Sequence, residues 1–308
     1  MPHKILAYGE VLWDLLPDRS ILGGAPFNFA FRVNSLGDQG LFVSSLGADK
    51  LGDKALDKVQ ALGLNTSLLQ RNADFPMGTV DVSFDEHHNP DYVINPDVAY
   101  DHIKITDALL HAATHSECLC FGTLIQRAPG SRETLCRLVD AMPHAIKFLD
   151  INLRKKCYSK ETILYSLEQA NILKLNNDEV HQLENILGIT PDSYSAFCEK
   201  MLAEFNLDYV LVTFGERGAF AKSSNGEEVY TPGYKIKLAD SLGSGDAFSA
   251  AFVHSILNDS SMHAACELGN ALGALVATKH GATAVIAKKQ IAAFLQSPAE
   301  RVYHAEFK

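Results

Sequence analysis

Residues Asp240 to Phe252 read DSLGSGDAFSAAF, two glycines and a carboxylate placed directly before a helical run. A helix that starts near Ser244 or Gly245 leaves several backbone N–H groups pointing back into the loop. With the positive end of the helix dipole these donors form an anion site, and Gly243 and Gly245 carry no Cβ to hold a phosphate off the backbone. Asp246 falls in the first turn, where the dipole favours its ionised form and leaves it a weak base. A weak base suffices for phosphoryl transfer, because the attacking hydroxyl loses its proton late and positioning matters more than basicity. The same spacing suits an aspartate that only caps the helix, and both readings stand at this point. A dinucleotide-binding loop is disfavoured, since GSGDAF lacks the third small residue and comes late in the chain.

A second glycine pair lies in GGAPFNFAFRVNSLG, Gly23 to Gly37. Gly23 and Gly24 end an extended segment, and Pro26 suits the first turn of the helix that follows. Asn28 sits near that turn, able to donate and accept toward a ligand hydroxyl. Upstream, GEVLWDLLP puts Asp14 just past a strand, where ligands of open α/β sheets bind. Together these residues outline a polyol site.

The elements that must position them alternate. Short apolar runs (KILAYGE, LFVSSLG, CLCFG, IKFLDIN, NILKLN, YVLVTFG) are separated by helical stretches such as Ala25 to Leu36 and Asp178 to Leu187. The pattern predicts βαβ units and a mainly parallel sheet with helices on both faces. TVDVSF alternates at period two, EHHNPD supplies turn residues and DYVIN follows, so Thr79 to Ile94 reads as a hairpin projecting from the body, suited to a lid. After Asp240 the chain is helical over Ser244 to Leu257, Met262 to Lys279 and about Lys288 to Leu295.

Composition sets the outer bounds. The 308 residues are 47% hydrophobic, enough for one main core. A formal charge of −10 disfavours nucleic acid and anionic lipid as partners. No apolar stretch approaches the roughly 20 residues of a membrane span, and MPHKILAYGEVLWDLL lacks a basic leader with a cleavage site, so a soluble cytoplasmic protein is expected. The six cysteines fall mostly in apolar segments without C-x-x-C spacing and read as reduced packing residues; the twelve histidines form no H-E-x-x-H, and His87 and His88 belong to a turn.

GGAPFNFAFRVNSLG and DSLGSGDAFSAAF, in this order and far apart, resemble the two signatures of the PfkB/ribokinase family of carbohydrate kinases, and the likeness covers nearly the whole chain. The resemblance implies a ribokinase-like three-layer α/β/α sandwich, a single domain over 1–308 with a small β lid from about 14–23 and 75–104. It implies ATP and Mg2+ as cofactors and a small-molecule sugar as partner. By the same resemblance Asp14, Gly23, Gly24 and Asn28 hold sugar hydroxyls, Gly243, Ser244 and Gly245 form the anion hole, and Asp246 takes the acceptor's proton. The N-x-x-E motif matches Asn176 to Glu179, which would organise phosphate and magnesium through water; a plain helix start is the alternative. Thr213, Gly215 and Gly218 match T-x-G-x-x-G of the nucleotide site. Asp240, the Leu242 carbonyl and the turn at Gly281 resemble loops that hold a monovalent cation such as K+. Asn270 lies where the family packs adenine, or is an ordinary polar helix residue.

Asp150, Asn152 and Arg154 match the D-x-N-x-R of fructokinase-like members, with Arg154 beside the transferred phosphate, whereas Lys155 and Lys156 read as a solvated loop. GEVLWDLLP, GGAPFN and FGTLIQR also resemble that branch. The stretch 74–101 holds Asp74, Asp81, Asp85, Glu86, Asp91, Asp97 and Asp101 and no Lys or Arg; a lid over an anionic sugar would need cations, so a neutral sugar is expected, with fructose phosphorylated at O6. Bulky Phe27 and Phe29 beside Asn28, Ser241 in place of threonine, and PDVAYD at the lid's end depart from the fructokinase pattern. A kinase of ribose or 2-keto-3-deoxygluconate, and a non-catalytic sugar or nucleotide sensor, are the alternatives. An exposed lid edge invites pairing of two copies into a homodimer.

Overall fold

The short apolar runs become strands of one large sheet. The computed structural model describes residues 2–16, 19–84, 90–154 and 157–308, so His87, His88, Asp85, Glu86, Lys155 and Lys156 lie outside the described residues. In chain order the strands are β1 (Lys4–Tyr8), β2 (Leu12–Leu15), β3 (Ser20–Gly23), β4 (Gln39–Gly47), β5 (Leu69–Asn72), β6 (Thr79–Phe84), β7 (Pro90–Ile94), β8 (Cys118–Phe121), β9 (Ile146–Asp150), β10 (Ile172–Asn176), β11 (Tyr209–Thr213), β12 (Ala219–Ser223), β13 (Glu228–Thr231), β14 (Gly233–Tyr234) and β15 (Arg301–Val302). The helices are α1 (Ala25–Leu36), α2 (Lys50–Ala61), α3 (Asp107–Thr114), α4 (Pro129–Ala141), α5 (Lys160–Gln169), α6 (Asn177–Leu187), α7 (Tyr194–Phe205), α8 (Ser244–Leu257), α9 (Met262–Ala277) and α10 (Lys288–Leu295).

Nine strands pair in the order β13-β12-β11-β10-β9-β8-β1-β4-β5. All neighbours from β5 to β11 are parallel. The antiparallel edge of β12 and β13 was not foreseen from the sequence. Side chains alternate between two apolar layers: Leu6 and Tyr8 face the layer supplied by α3 to α7, Ile5 and Ala7 the layer supplied by α1, α2 and α8 to α10. Fully burying each aromatic of these layers stabilises the fold by about 2–3 kcal/mol, and Phe29 of α1 stacks on Phe148 of β9 with ring centroids 6.2 Å apart. All six cysteines are free thiols, as expected. Among the described residues no helix is long and apolar enough to cross a membrane.

A second sheet, in the order β3-β2-β6-β7, stands apart from the first. The expected hairpin is its β6–β7 pair, and β2 joins it by running parallel to β6. The lid was expected to run to about 104, and its last stretch is buried. Val98, Ala99, Tyr100, Asp101 and Ile103 are at most 2% exposed, because this apolar stretch leaves the small sheet and enters the main core.

Candidate active site

The N-terminus of α8 is capped by Gly243, whose φ of 77° is left-handed and whose missing side chain supplies no hydrogen bond to the first turn. The Ser244 N–H returns to the Ser241 carbonyl at 3.2 Å and that of Ala247 to Gly243 at 2.9 Å. Between them the N–H groups of Gly245 and Asp246 have no partner among the described residues. A serine or aspartate cap would have taken one of them; a glycine leaves both open to an anion. A Cβ at position 243 would also strike Ala282.

The α1 N-terminus faces the same point. Gly24 precedes the helix with φ 123°, and a Cβ there would collide with the Glu10 carbonyl. The Ala25 N–H donates to Glu10 Oε1 at 3.1 Å. One turn on, Asn28 donates from Nδ2 to Asp246 Oδ2 at 2.8 Å, while Asn28 Oδ1 and Ser244 Oγ are buried without a partner. The two glycine signatures thus meet at one carboxylate. Orphaned acceptors are rare in folded proteins, and these two sit where an incoming hydroxyl could donate.

Burial, reinforced by the Asp150 carboxylate, pushes the Asp246 carboxyl up from 3.8 to about 7, against the Asn28 hydrogen bond and the Lys174 ammonium, which favour the ionised form. This differs from the weak base expected from the helix dipole alone: exclusion from water outweighs the dipole, and a carboxylate titrating near neutrality is suited to general-base work. Asp150, Glu10, Phe29 and Asn152 line the small cavity beside it.

On the nucleotide side, Asn176 caps α6 by accepting from the Glu179 N–H at 2.9 Å. Glu179 returns the contact, accepting from the Asn176 N–H at 2.8 Å, and takes the Leu153 N–H at 3.1 Å. Both readings of N-x-x-E meet here: the pair is a helix start, and it also clamps the ends of β9 and β10. Each Glu179 oxygen already accepts a backbone N–H, and no group of three or more His, Cys, Asp or Glu among the described residues could form a metal cage. Thr213 ends β11, and Gly215 and Gly218 form the turn beyond it, with Gly218 tight against Thr231. Asn270 donates to the Thr231 carbonyl at 3.0 Å and to its hydroxyl at 2.7 Å. The amide nitrogen of Asn270 thus braces α9 against β13.

Asp240 accepts from the Leu242 N–H and the Gly281 N–H, each at 3.0 Å. Buried Arg32 donates to the neighbouring carbonyls of Ala282 and Ala284. The expected cation loop is thus drawn together by its own carboxylate and by a guanidinium.

Asp14 lies within β2 of the small sheet rather than past a main-sheet strand, and its carboxylate faces Gly23. Burial raises its pKa and the charge of Arg154 lowers it; Glu10 is likewise raised by burial and lowered by Arg154 and Arg127. Arg154 therefore stands close enough to Asp14 and Glu10 to act on them. Arg127 holds Asp101 at 2.8 Å and also donates to the Asn95 carbonyl and the Tyr100 hydroxyl. The acidic-lid argument for a neutral sugar weakens accordingly: Asp101 is a neutralised core residue, and cations from 127 and 154 reach the region.

Reading by sequence missed Glu10, Arg32 and Lys174. A signal existed for Lys174, a lysine inside the apolar run NILKLN, and for Glu10, a carboxylate between apolar segments.

A family model described as pfkB family carbohydrate kinase matches residues 18–289. A curated relative, the 5-dehydro-2-deoxygluconokinase of Listeria monocytogenes, is 25% identical over 90% of this chain and 86% of its own length. Among solved structures, a fructokinase of Xylella fastidiosa with bound ATP superposes with a TM-score of 0.85 at 21% identity, over 95% of this chain and 98% of that one. The 2-dehydro-3-deoxygluconokinase of Thermotoga maritima gives a TM-score of 0.83 at 20% identity, over 96% and 99%.

Proposed function

Because the chain belongs to the pfkB family of carbohydrate kinases, we propose that it is a cytoplasmic enzyme transferring the γ-phosphate of ATP to a primary hydroxyl of a small sugar, fructose at O6 being the first acceptor. The observation that carries this reading is the meeting of Asn28 and Asp246 at 2.8 Å beside the open N–H groups of Gly245 and Asp246. Asp14 and Asn28 would hold acceptor hydroxyls, with Asp246 receiving the proton of the attacking one. The Gly243–Gly245 backbone would take the equatorial oxygens of the transferring group, where fixed dipoles act without reorganisation. Arg154 would neutralise the phosphate from the β9 side. Thr213, Gly215 and Gly218 would line the nucleotide phosphates. Magnesium, when bound, would offset charge on the β- and γ-phosphate oxygens, with Asn176 and Glu179 organising it through water. The small sheet would close over the acceptor and exclude water, and its outer strands β3 and β7 offer edges for a homodimer.

A second acceptor class has its own support. The gluconokinase names of relatives denote sugar acids, and the charge of Arg154 acts on Asp14 and Glu10, as a carboxylate-binding cation would. ADP release from magnesium ATP with potassium present, measured with fructose, ribose, 5-dehydro-2-deoxygluconate, 2-dehydro-3-deoxygluconate, fructose 6-phosphate and adenosine, tests both. Turnover with fructose alone supports the first reading, turnover with the acids alone the second. ATP binding with no ADP release on any acceptor would favour a sensor on the same scaffold.

A further inference from the structure

A lysine in the interior of a doubly covered parallel strand requires explanation, because burying an unpaired ammonium is strongly unfavourable. In β10, Leu173 and Leu175 face the layer of α3 to α7, while Ile172 faces the opposite layer. Lys174, on the same side as Ile172, is 7% exposed. Asp150 stands directly opposite it on β9 and holds Nζ with both oxygens at 3.0 Å. Ser249 of α8 donates to Asp150 Oδ2 at 2.9 Å. The pair lies beneath the anion loop: a methyl group on Gly245 would come within 3.3 Å of Lys174 Nζ. A buried pair that served stability alone could be replaced by apolar residues without loss. Its place, with the ammonium against the backbone that is open to an anion, is what packing leaves unexplained.

Resting on the kinase reading above, we propose that Lys174 is a positioning residue of the transfer step, a buried ammonium fixed by Asp150 beneath Gly245 that offsets both the anion taken by the loop and the Asp246 carboxylate beside it. Its field acts through protein rather than water and is already oriented before the anion arrives, which makes it effective on charge that develops during transfer. Around Asp246 stand Asp150 on β9, Lys174 on β10, Asn28 and Arg32 on α1, Glu10 before β2, and the Cys120 thiol on β8. Both Asp150 oxygens lie 3.0 Å from Nζ, the geometry of an ammonium paired with a carboxylate. Asp150 and Lys174 act on Asp246 with opposite sign.

The test compares the wild-type protein with Lys174→Met, Asp150→Asn and the double variant. In the double variant neither member of the pair is left charged without the other, so it carries the test if Lys174→Met fails to fold. The expected result is a kcat reduced about 10²-fold in Lys174→Met and equally low in the double variant. A double variant within about threefold of wild type would overturn the proposal, because the pair would then serve only itself. Titration of the Asp246 carboxyl by 13C NMR, assigned against Asp246→Asn, reads the charge relation without turnover. The midpoint should rise by about one pH unit in Lys174→Met and fall in Asp150→Asn; an unmoved midpoint, or movement in one direction only, would overturn it. If the wild type phosphorylates no acceptor, the kinase reading fails while this titration still decides the charge relation.

Discussion

The Asn28 amide and the Asp246 carboxylate are joined by a 2.8 Å hydrogen bond across 218 positions of sequence. Each belongs to a helix that begins at a glycine, and the two helix starts converge on one point. The Asp246 carboxylate is thereby oriented in advance, as a group that must meet a reactant in one geometry needs to be.

Asp246→Asn should lower kcat by about 10³-fold with KM little changed. The fold should persist. Because the carboxyl is raised in the folded protein from 3.8 to about 7, its ionisation weakens the native state progressively as pH rises through that window. Urea unfolding should therefore find the variant at least as stable as wild type at pH 8, with the advantage vanishing below the lower value.

The rate should follow the same group. kcat/KM measured against pH should fall on the acid side of about 7, where Asp246 takes up its proton. Asn28→Leu removes a hydrogen bond that favours the ionised form, so its acid limb should move to higher pH. An unshifted limb would separate Asn28 from the base.

Gly243→Ala places a side chain at φ 77° and against Ala282. The strain should cost about 1–3 kcal/mol in urea unfolding, and displacement of the loop should reduce kcat by about 10²-fold. Full activity in this variant would dismiss the loop as an anion site.

Arg127→Met strands the Asp101 carboxylate, itself 1% exposed, without its 2.8 Å partner. A loss of about 3–5 kcal/mol is expected in denaturant unfolding. Adding Asp101→Asn should restore a large part of it.

Arg154→Gln separates the two acceptor readings. If the guanidinium serves the transferred phosphate, kcat should fall on every acceptor by about tenfold or more. If it grips a carboxylate, KM for the acidic acceptors alone should rise.

Most of the fold was legible because a parallel sheet writes itself into sequence as short apolar runs, and β1, β4, β8, β9, β10 and β11 each coincide with one. The antiparallel strand β12 and the edge strand β13 were not, since AFAKS and EVYT mix polar and apolar residues. At the site, the glycine-led loops could be read from spacing, for glycine marks backbone that must stay bare. Lys174 and Asp150 could not be paired in advance, because their contact depends on the register of β9 against β10. The contact of Asn270 with Thr231 was hidden for a related reason: Thr231 lies 39 residues away, on a strand the sequence did not announce.

The layer formed by α1, α2, α8, α9 and α10 takes its parts from the two ends of the chain. A polypeptide leaving the ribosome therefore presents Ile172 and Leu211 with one side bare, and they stay so until the segment beyond Ser244 emerges. The growing protein spends that interval as a half-covered sheet whose apolar side invites association with other nascent chains. Stops or long pauses ahead of codon 244 should be more harmful to its yield than equal delays after codon 295, and the protein brings Asp246 to Asn28 only in the same late step that hides its second face.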